Sequence, residues 1–410
     1  MDHISQDAAE TRSPFLPGPT APGGRPLRTD VPRPLGRGTA LLPPRPSGRT
    51  VGGHTARQLL DLCALVGLDA SDSAAYARAL TDALGPVVHR PLDLPPAVRT
   101  FLSDDHTPVE FSLSLSAGTT PSLRILLEPA SGFGTLGESG RLALRAVHEL
   151  ARRWDIATDQ LDLIQDLFLP DDPQGSFALW IALELSPGGV PRMKAYLNPS
   201  ASGPDRAGAT VREALRRLGH HRAYDSLPPA DRLVFLALDL GDWDTPRLKL
   251  YTAHHELRAS TVSTLNRMAG GPSPAETEAF LHTASGLPDG RDGVFDRRPV
   301  LTCHAFTDPA ADHPSGFTLH VPVRDYARDD REVLGRADTL LTRYGIDPAV
   351  LRDSLGALTP RRLEDGVGLI AYLAMVHQEG RAARLTAYLS SEAYQVRPPG
   401  GRPSGPRPVR

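Results

Sequence analysis

The feature that most limits what this 410-residue chain can become is a unit that recurs five times. Each unit is a pair of short runs, alternating apolar and polar, around a turn. The first pair is 109–116 and 123–129, split by Ala117-Gly118-Thr119-Thr120-Pro121. The second, 176–185 and 192–198, turns at Ser186-Pro187-Gly188-Gly189, and the third, 232–240 and 247–252, at Gly241-Asp242. The fourth joins 300–306 to 317–323, and the fifth joins 367–376 to 384–389 around Glu379-Gly380. Period-two runs around Gly, Pro and Asp turns read as β-hairpins. Between them, leucines and alanines at three- and four-residue spacing predict helices near 54–66, 71–84, 138–154, 208–219, 255–268, 274–285 and 330–345. Hairpins are antiparallel by construction, which excludes a parallel βαβ order. The expected fold is α+β: a single ten-stranded antiparallel β-barrel of five αββα repeats, helices outside, with a central solvent-filled chamber.

Domain organisation follows from composition. Residues 1–50 are rich in Pro, Gly and Arg without apolar periodicity and are expected to form a flexible leader. Residues 51–396 carry the barrel, and 397–410 read as a loose C-terminal tail.

Parity along the strands decides which residues enter the chamber, because i, i+2 and i+4 share a face. In 176–185, Phe177, Leu179, Ile181, Leu183 and Leu185 are assigned to the helix-covered face, and Ala178, Trp180 and Ala182 to the interior. Leu385, Ala387 and Leu389 oppose Arg384, Thr386 and Tyr388, while Phe317, Leu319 and Val321 oppose Thr318 and His320. The inward set is then Glu110, Arg124, Trp180, Lys194, Tyr196, Arg247, Lys249, Tyr251, Thr318, His320, Arg384 and Tyr388. Of 45 basic residues only Lys194 and Lys249 are lysine, and each stands two residues before a tyrosine. Arginine is a planar fork and lysine a compact point charge, so the two are not interchangeable at a tight anion site. Two readings of this cationic face compete. It is the solvated side of a half-buried sheet, or it points into a barrel and gathers around one anion.

Several classes are excluded or disfavoured. A formal charge of -3 argues against nucleic-acid or membrane-surface partners. No apolar run reaches membrane-span length, and Met1-Asp2-His3-Ile4-Ser5-Gln6-Asp7 lacks a signal-peptide pattern, so a cytoplasmic location is expected. Cys63 and Cys303 are too few for a disulfide scaffold or structural zinc and are expected to be buried free thiols. Cations grouped with phenols suit a polyanion such as a diphosphate. The chain has no Asp-Asp-x-x-Asp cluster, and neither lysine lies in a Walker-type loop. The chain's own cations would then hold the leaving group, and tyrosine faces would stabilise an adjacent carbocation by about 0.5–2 kcal/mol each.

Pro108-Val109-Glu110-Phe111-Ser112, Arg124-Ile125-Leu126-Leu127-Glu128-Pro129, Lys194-Ala195-Tyr196-Leu197-Asn198-Pro199 and Arg247-Leu248-Lys249-Leu250-Tyr251 resemble the aromatic prenyltransferases of the dimethylallyltryptophan synthase type, over about residues 55–395. The resemblance implies an αββα barrel that transfers a dimethylallyl group from dimethylallyl diphosphate to an indole with no metal or other cofactor. It assigns Glu110 to the indole N–H, Arg124, Lys194, Arg247 and Lys249 to the diphosphate, and Tyr196, Tyr251 and Tyr388 to the cation shield. Arg384 joins the diphosphate set, His320 the shield, and Trp180 and Thr318 the acceptor pocket. Thr318 and His320 stand where fungal members tend to carry Gln or Lys and Tyr, and the strand before Lys194 has no lysine to serve as the final base. Glu110 or a water substitutes. These departures resemble the bacterial branch, where L-tryptophan is the common acceptor, with C6 the expected position. Another indole, a cyclic dipeptide or a phenol as acceptor, or a non-catalytic barrel for an anionic aromatic ligand, are the alternatives. The expected partners are small molecules alone, with the chain a monomer or homodimer.

Overall fold

The structure is a computed structural model that describes residues 49–242, 247–288, 290–401 and 405–409, so the expected leader falls almost wholly outside the described residues. Ten strands close into one barrel: β1 Val109–Leu115, β2 Ser122–Leu127, β3 Leu179–Glu184, β4 Arg192–Leu197, β5 Arg232–Leu240, β6 Leu248–His254, β7 Val300–Phe306, β8 Gly316–Val321, β9 Ile370–Gln378 and β10 Arg384–Ser390. Each strand pairs antiparallel with the next in sequence, and β10 returns to β1, with Glu110 opposite Ser390 and Leu115 opposite Leu385. Closure leaves the barrel no free edge.

Among the described residues seven helices of ten residues or more jacket the wall: Val51–Leu65, Ala70–Leu84, Leu136–Arg153, Ala207–Arg217, Pro274–Ser285, Asp330–Arg343 and Ala349–Leu358. Leu136–Arg153 shows why they form where they do. Thr135 Oγ1 accepts from the Glu138 amide at 3.2 Å, and the Glu138 carboxylate accepts from the Thr135 amide at 2.7 Å. Such a capping box is worth about 1 kcal/mol. Gly140, Ala143, Val147, Leu150 and Ala151 form its buried stripe, and Arg152 and Arg153 complement the dipole of its last turn. Pro274–Ser285 ends at Gly286, whose φ of +73° is left-handed; a Cβ there would lie 2.3 Å from the Arg336 guanidinium.

The outward residues of the strands meet this jacket. Phe111, Leu113, Ile125, Leu183, Leu236, Leu250, Phe317, Leu319 and Leu389 are all 0% exposed and share one apolar cluster with the helices. Burial of each such side chain contributes roughly 1.5–3 kcal/mol. A separate, smaller cluster fills part of the interior, with Trp180, Tyr196, Phe235, Tyr251 and Tyr372 at its centre.

Three expectations are corrected. The stretch 255–268 is not an α-helix: Leu257–Arg258 pairs with Gly293–Phe295, and Ala259–Leu265 is a 3₁₀ run. Its buried residues, Ala259, Val262 and Leu265, fall every third position, which is the 3₁₀ repeat. Ala349–Leu358 is a helix that the pattern does not predict. Phe177 does not join the jacket: β3 starts only at Leu179, and the Phe177 ring stacks at 4.3 Å on Trp180 inside. In the C-terminal tail, Arg407–Pro408 adds a third strand to the small outer sheet at Gly293–Phe295.

Candidate active site

Because side chains alternate and the strands are in register, the interior is layered. Three tiers run from one mouth of the barrel inward.

The first tier is cationic. A cavity of about 230 Å³ at one mouth is lined by Arg124, Arg192, Lys194, Arg247, Lys249, Arg381 and Arg384, together with two carboxylates, Glu184 and Asp239. Arg124 donates to Glu184 at 2.8 Å, and Lys194 is in direct contact with Asp239. Burial raises the Glu184 carboxyl, but Arg124 beside it wins and holds it at about 2. Burial brings the Lys194 ammonium down to about 8; Asp239 opposes this, while Lys249 and Arg124 repel it further. Thr318 lines this tier as well.

The second tier is a collar of neutral rings. The Tyr196 and Tyr251 hydroxyls lie 3.3 Å apart, the Tyr251 and His320 rings 5.8 Å apart, and His320 Nε2 is 3.1 Å from the Tyr388 hydroxyl. Tyr372 continues the series at 6.3 Å from Tyr388. Burial raises the phenols of Tyr196, Tyr251 and Tyr388. Burial, then repulsion from Lys249, lowers His320 to about 3. Cys303, opposite Tyr251 on β7, is likewise pushed up by burial. The collar therefore carries no phenolate, thiolate or imidazolium at neutral pH. It presents π-faces, and no ionised group that would repel a carbocation or pair with it.

The third tier is aromatic with buried carboxyls. Trp180, Phe177 and Phe235 pack with centroids 4.3–5.4 Å apart. Glu110 on β1 is 6% exposed; burial raises it to about 8, opposed by Arg324 and assisted by Asp104. Glu128 is raised to about 7 by burial, against hydrogen bonds from Thr100 and the Trp180 indole. Behind Glu110, Arg324 Nε sits 2.8 Å from Asp104, and Arg298 bridges Asp104 at 3.1 Å and Asp325 at 2.5 Å. A second cavity of about 290 Å³ opens beside Trp180, Phe177 and Phe235, with Arg232 in its lining.

All twelve residues assigned to the interior line it. Trp180 and Thr318, expected together at an acceptor pocket, lie on different tiers, in the second and first cavities respectively. The sequence reading assigned Phe177 to the opposite face and did not place Glu128, Glu184, Arg192, Arg232, Phe235, Asp239, Tyr372 or Arg381 in the interior. For Glu184 and Asp239 a signal was present: each is the lone acid of its strand, at an inward position, among residues that are apolar apart from Arg232. Among the described residues no group of three His, Cys, Asp or Glu could hold a metal ion, and no helix is long and apolar enough to cross a membrane.

A helix-jacketed ten-stranded barrel with a cationic mouth, a neutral aromatic collar and a floor of buried carboxyls defines an aromatic prenyltransferase of the αββα barrel class. A sequence model described as Tryptophan dimethylallyltransferase matches residues 73–352, and the chain belongs to that family. Solved structures agree. The prenyltransferase PriB, in a ternary complex with L-tryptophan and dimethylallyl thiolodiphosphate, is 54% identical over 86% of this chain and 99% of its own, with a TM-score of 0.84. The 5-dimethylallyl tryptophan synthase of Streptomyces coelicolor, in complex with DMASPP and Trp, is 55% identical over 86% and 98%, with a TM-score of 0.82. The 6-dimethylallyltryptophan synthase of Micromonospora olivasterospora is 40% identical over 86% and 100%, with a TM-score of 0.80.

Proposed function

We propose that this enzyme, acting in the cytoplasm, transfers the dimethylallyl group of dimethylallyl diphosphate to C6 of the indole of L-tryptophan without a metal cofactor. The observation that carries the reading is the layering itself: cations, then neutral rings, then a buried carboxylate, within one closed wall. Arg124, Lys194, Arg247, Lys249 and Arg384 hold the diphosphate. As its C–O bond breaks they take up the developing negative charge, which is the largest contribution such a site makes. Tyr196, Tyr251, His320 and Tyr388 surround the allylic cation and keep water from it. Glu110 accepts the indole N–H, which raises electron density in the ring, and Trp180 flanks the acceptor. The ring carbon attacks the cation, and the proton it loses goes to Glu110 or to a water. Relatives bearing tryptophan and a thiolodiphosphate analogue in one complex support the substrate pair.

C5 is the second reading, because one relative of 55% identity is a 5-dimethylallyl tryptophan synthase, whereas the 6-dimethylallyltryptophan synthases are 39–40% identical. Mass spectrometry of incubations with tryptophan, other indoles, a cyclic dipeptide and a phenol, followed by proton NMR of the product, tests both points. Prenylated tryptophan with the C6 proton replaced supports the proposal. A different preferred acceptor overturns the tryptophan assignment, and substitution at C5 overturns the position.

A further inference from the structure

Charge alternates around one half of the cationic mouth. Arg124 on β2 and Glu184 on β3 are direct cross-strand partners, as are Lys194 on β4 and Asp239 on β5. Glu184 lies 2.8 Å from Arg124 and 3.7 Å from Arg192; Asp239 touches Lys194 and lies 3.9 Å from Arg247. On the rest of the rim Lys249 and Arg384 have no ion pair among the described residues, and no carboxylate of the opposite wall lines the cavity there. The mouth is thus half neutralised and half open.

We propose that Glu184 and Asp239 are built-in stand-ins for the diphosphate, so that ligand binding is an exchange of carboxylate for phosphate oxygens on Arg124 and Lys194. This inference rests on the reading of the mouth as the diphosphate site. The physical case is electrostatic. Cations packed against each other in a low-dielectric wall repel, and the carboxylates relieve that repulsion in the empty enzyme. Lys194 and Asp239 are only 11% and 13% exposed at their side chains, so solvent cannot do the same work. A polyanion arrives first at Lys249 and Arg384 and then displaces the carboxylates, whose negative charge opposes its binding. That opposition speeds release of the diphosphate product. Glu184 and Asp239 are positioning residues that set turnover through the cations they touch.

Calorimetric titration with inorganic pyrophosphate of the wild-type, Asp239→Asn, Glu184→Gln and Lys194→Ala proteins tests this. Exchange predicts that Asp239→Asn and Glu184→Gln bind pyrophosphate about tenfold more tightly. The KM for dimethylallyl diphosphate falls with it, and kcat falls as release slows. If the carboxylates merely orient their cations, both variants bind more weakly, and the inference is overturned. Lys194→Ala separates the two levels of argument. Unchanged pyrophosphate affinity in that variant defeats the diphosphate reading itself. Weaker binding there, with no tightening in the other two, defeats only the exchange. A wild-type crystal structure with pyrophosphate reads the same point without a variant: Lys194 Nζ parted from Asp239 by more than about 4 Å supports exchange, and the retained contact contradicts it.

Discussion

His320 Nε2 lies 3.1 Å from the Tyr388 hydroxyl, joining strands β8 and β10 across the interior. A neutral imidazole, held uncharged by burial, fixes the phenol that completes the collar. Tyr388→Ala opens the collar to water. The expected outcome is a fall in prenylated product of about tenfold, with dimethylallyl alcohol rising as a share of total turnover. Quantifying both by mass spectrometry checks this; an unchanged alcohol share removes Tyr388 from the shield.

In the proposed reaction the two lysines act on the leaving group, where contacts strengthen as charge develops. Lys194→Ala and Lys249→Ala are each expected to lower kcat/KM for dimethylallyl diphosphate by more than tenfold. Steady-state kinetics measure it. Unchanged kcat/KM in both variants would take the lysines out of the site.

The pH dependence follows from two buried groups. In the proposed reaction Glu110, raised to about 8, works as a carboxylate, so activity is expected to climb as pH rises through that value. Lys194, lowered to about 8, works in the same reaction as an ammonium, so activity is expected to fall beyond it. A narrow bell in kcat/KM near pH 8 is expected. Lys194→Arg replaces a titrating group with one that stays charged, and the alkaline limb should move up by one pH unit or more.

Stability carries the opposite mark of Glu110. Its folded pKa exceeds the ordinary 4.5, so its contribution is fully present below that value and is lost as pH rises through about 8. Glu110→Gln, neutral throughout, should melt a few °C above wild type at pH 9, roughly what a 1–2 kcal/mol gain gives a chain of this size. At pH 5 the two should melt alike. Scanning calorimetry at both values decides it, and equal melting at pH 9 would contradict the cost assigned to burying this carboxylate.

Much of this arrangement was legible in the sequence because the helix-facing side of most strands is apolar; β6 and β7 are the exceptions, where Thr252, His254 and Thr302 bond to one another and His304 to the Leu265 carbonyl. Phe317, Leu319 and Val321 on β8, or Leu385, Ala387 and Leu389 on β10, leave Thr318, His320, Arg384 and Tyr388 no other direction. What escaped has local causes. The register shifts between Ile370 and Tyr372, and again between Leu233 and Phe235. Each irregularity interrupts the alternation near the start of its strand, but Phe235 keeps the parity of Asp239 and Tyr372 that of Val376, so parity read from the far end of each strand places both rings inside. Phe177 turns inward from the loop before β3, where no period applies. Glu184 and Asp239 face the interior by simple parity, yet their pairing with Arg124 and Lys194 depends on strand neighbours 60 and 45 residues apart in the chain. Arg324 reaches the floor from a short 3₁₀ turn, Val323–Asp325, that no hydrophobic pattern marks.

The central claim is that the barrel's own cations, and not a metal ion, hold the departing diphosphate. Turnover of L-tryptophan with dimethylallyl diphosphate in excess EDTA, with and without added Mg²⁺, tests it most directly. The account predicts rates that agree within about twofold, far inside the loss that removing a charge-stabilising group brings. Activity abolished by EDTA and restored by Mg²⁺ would contradict it.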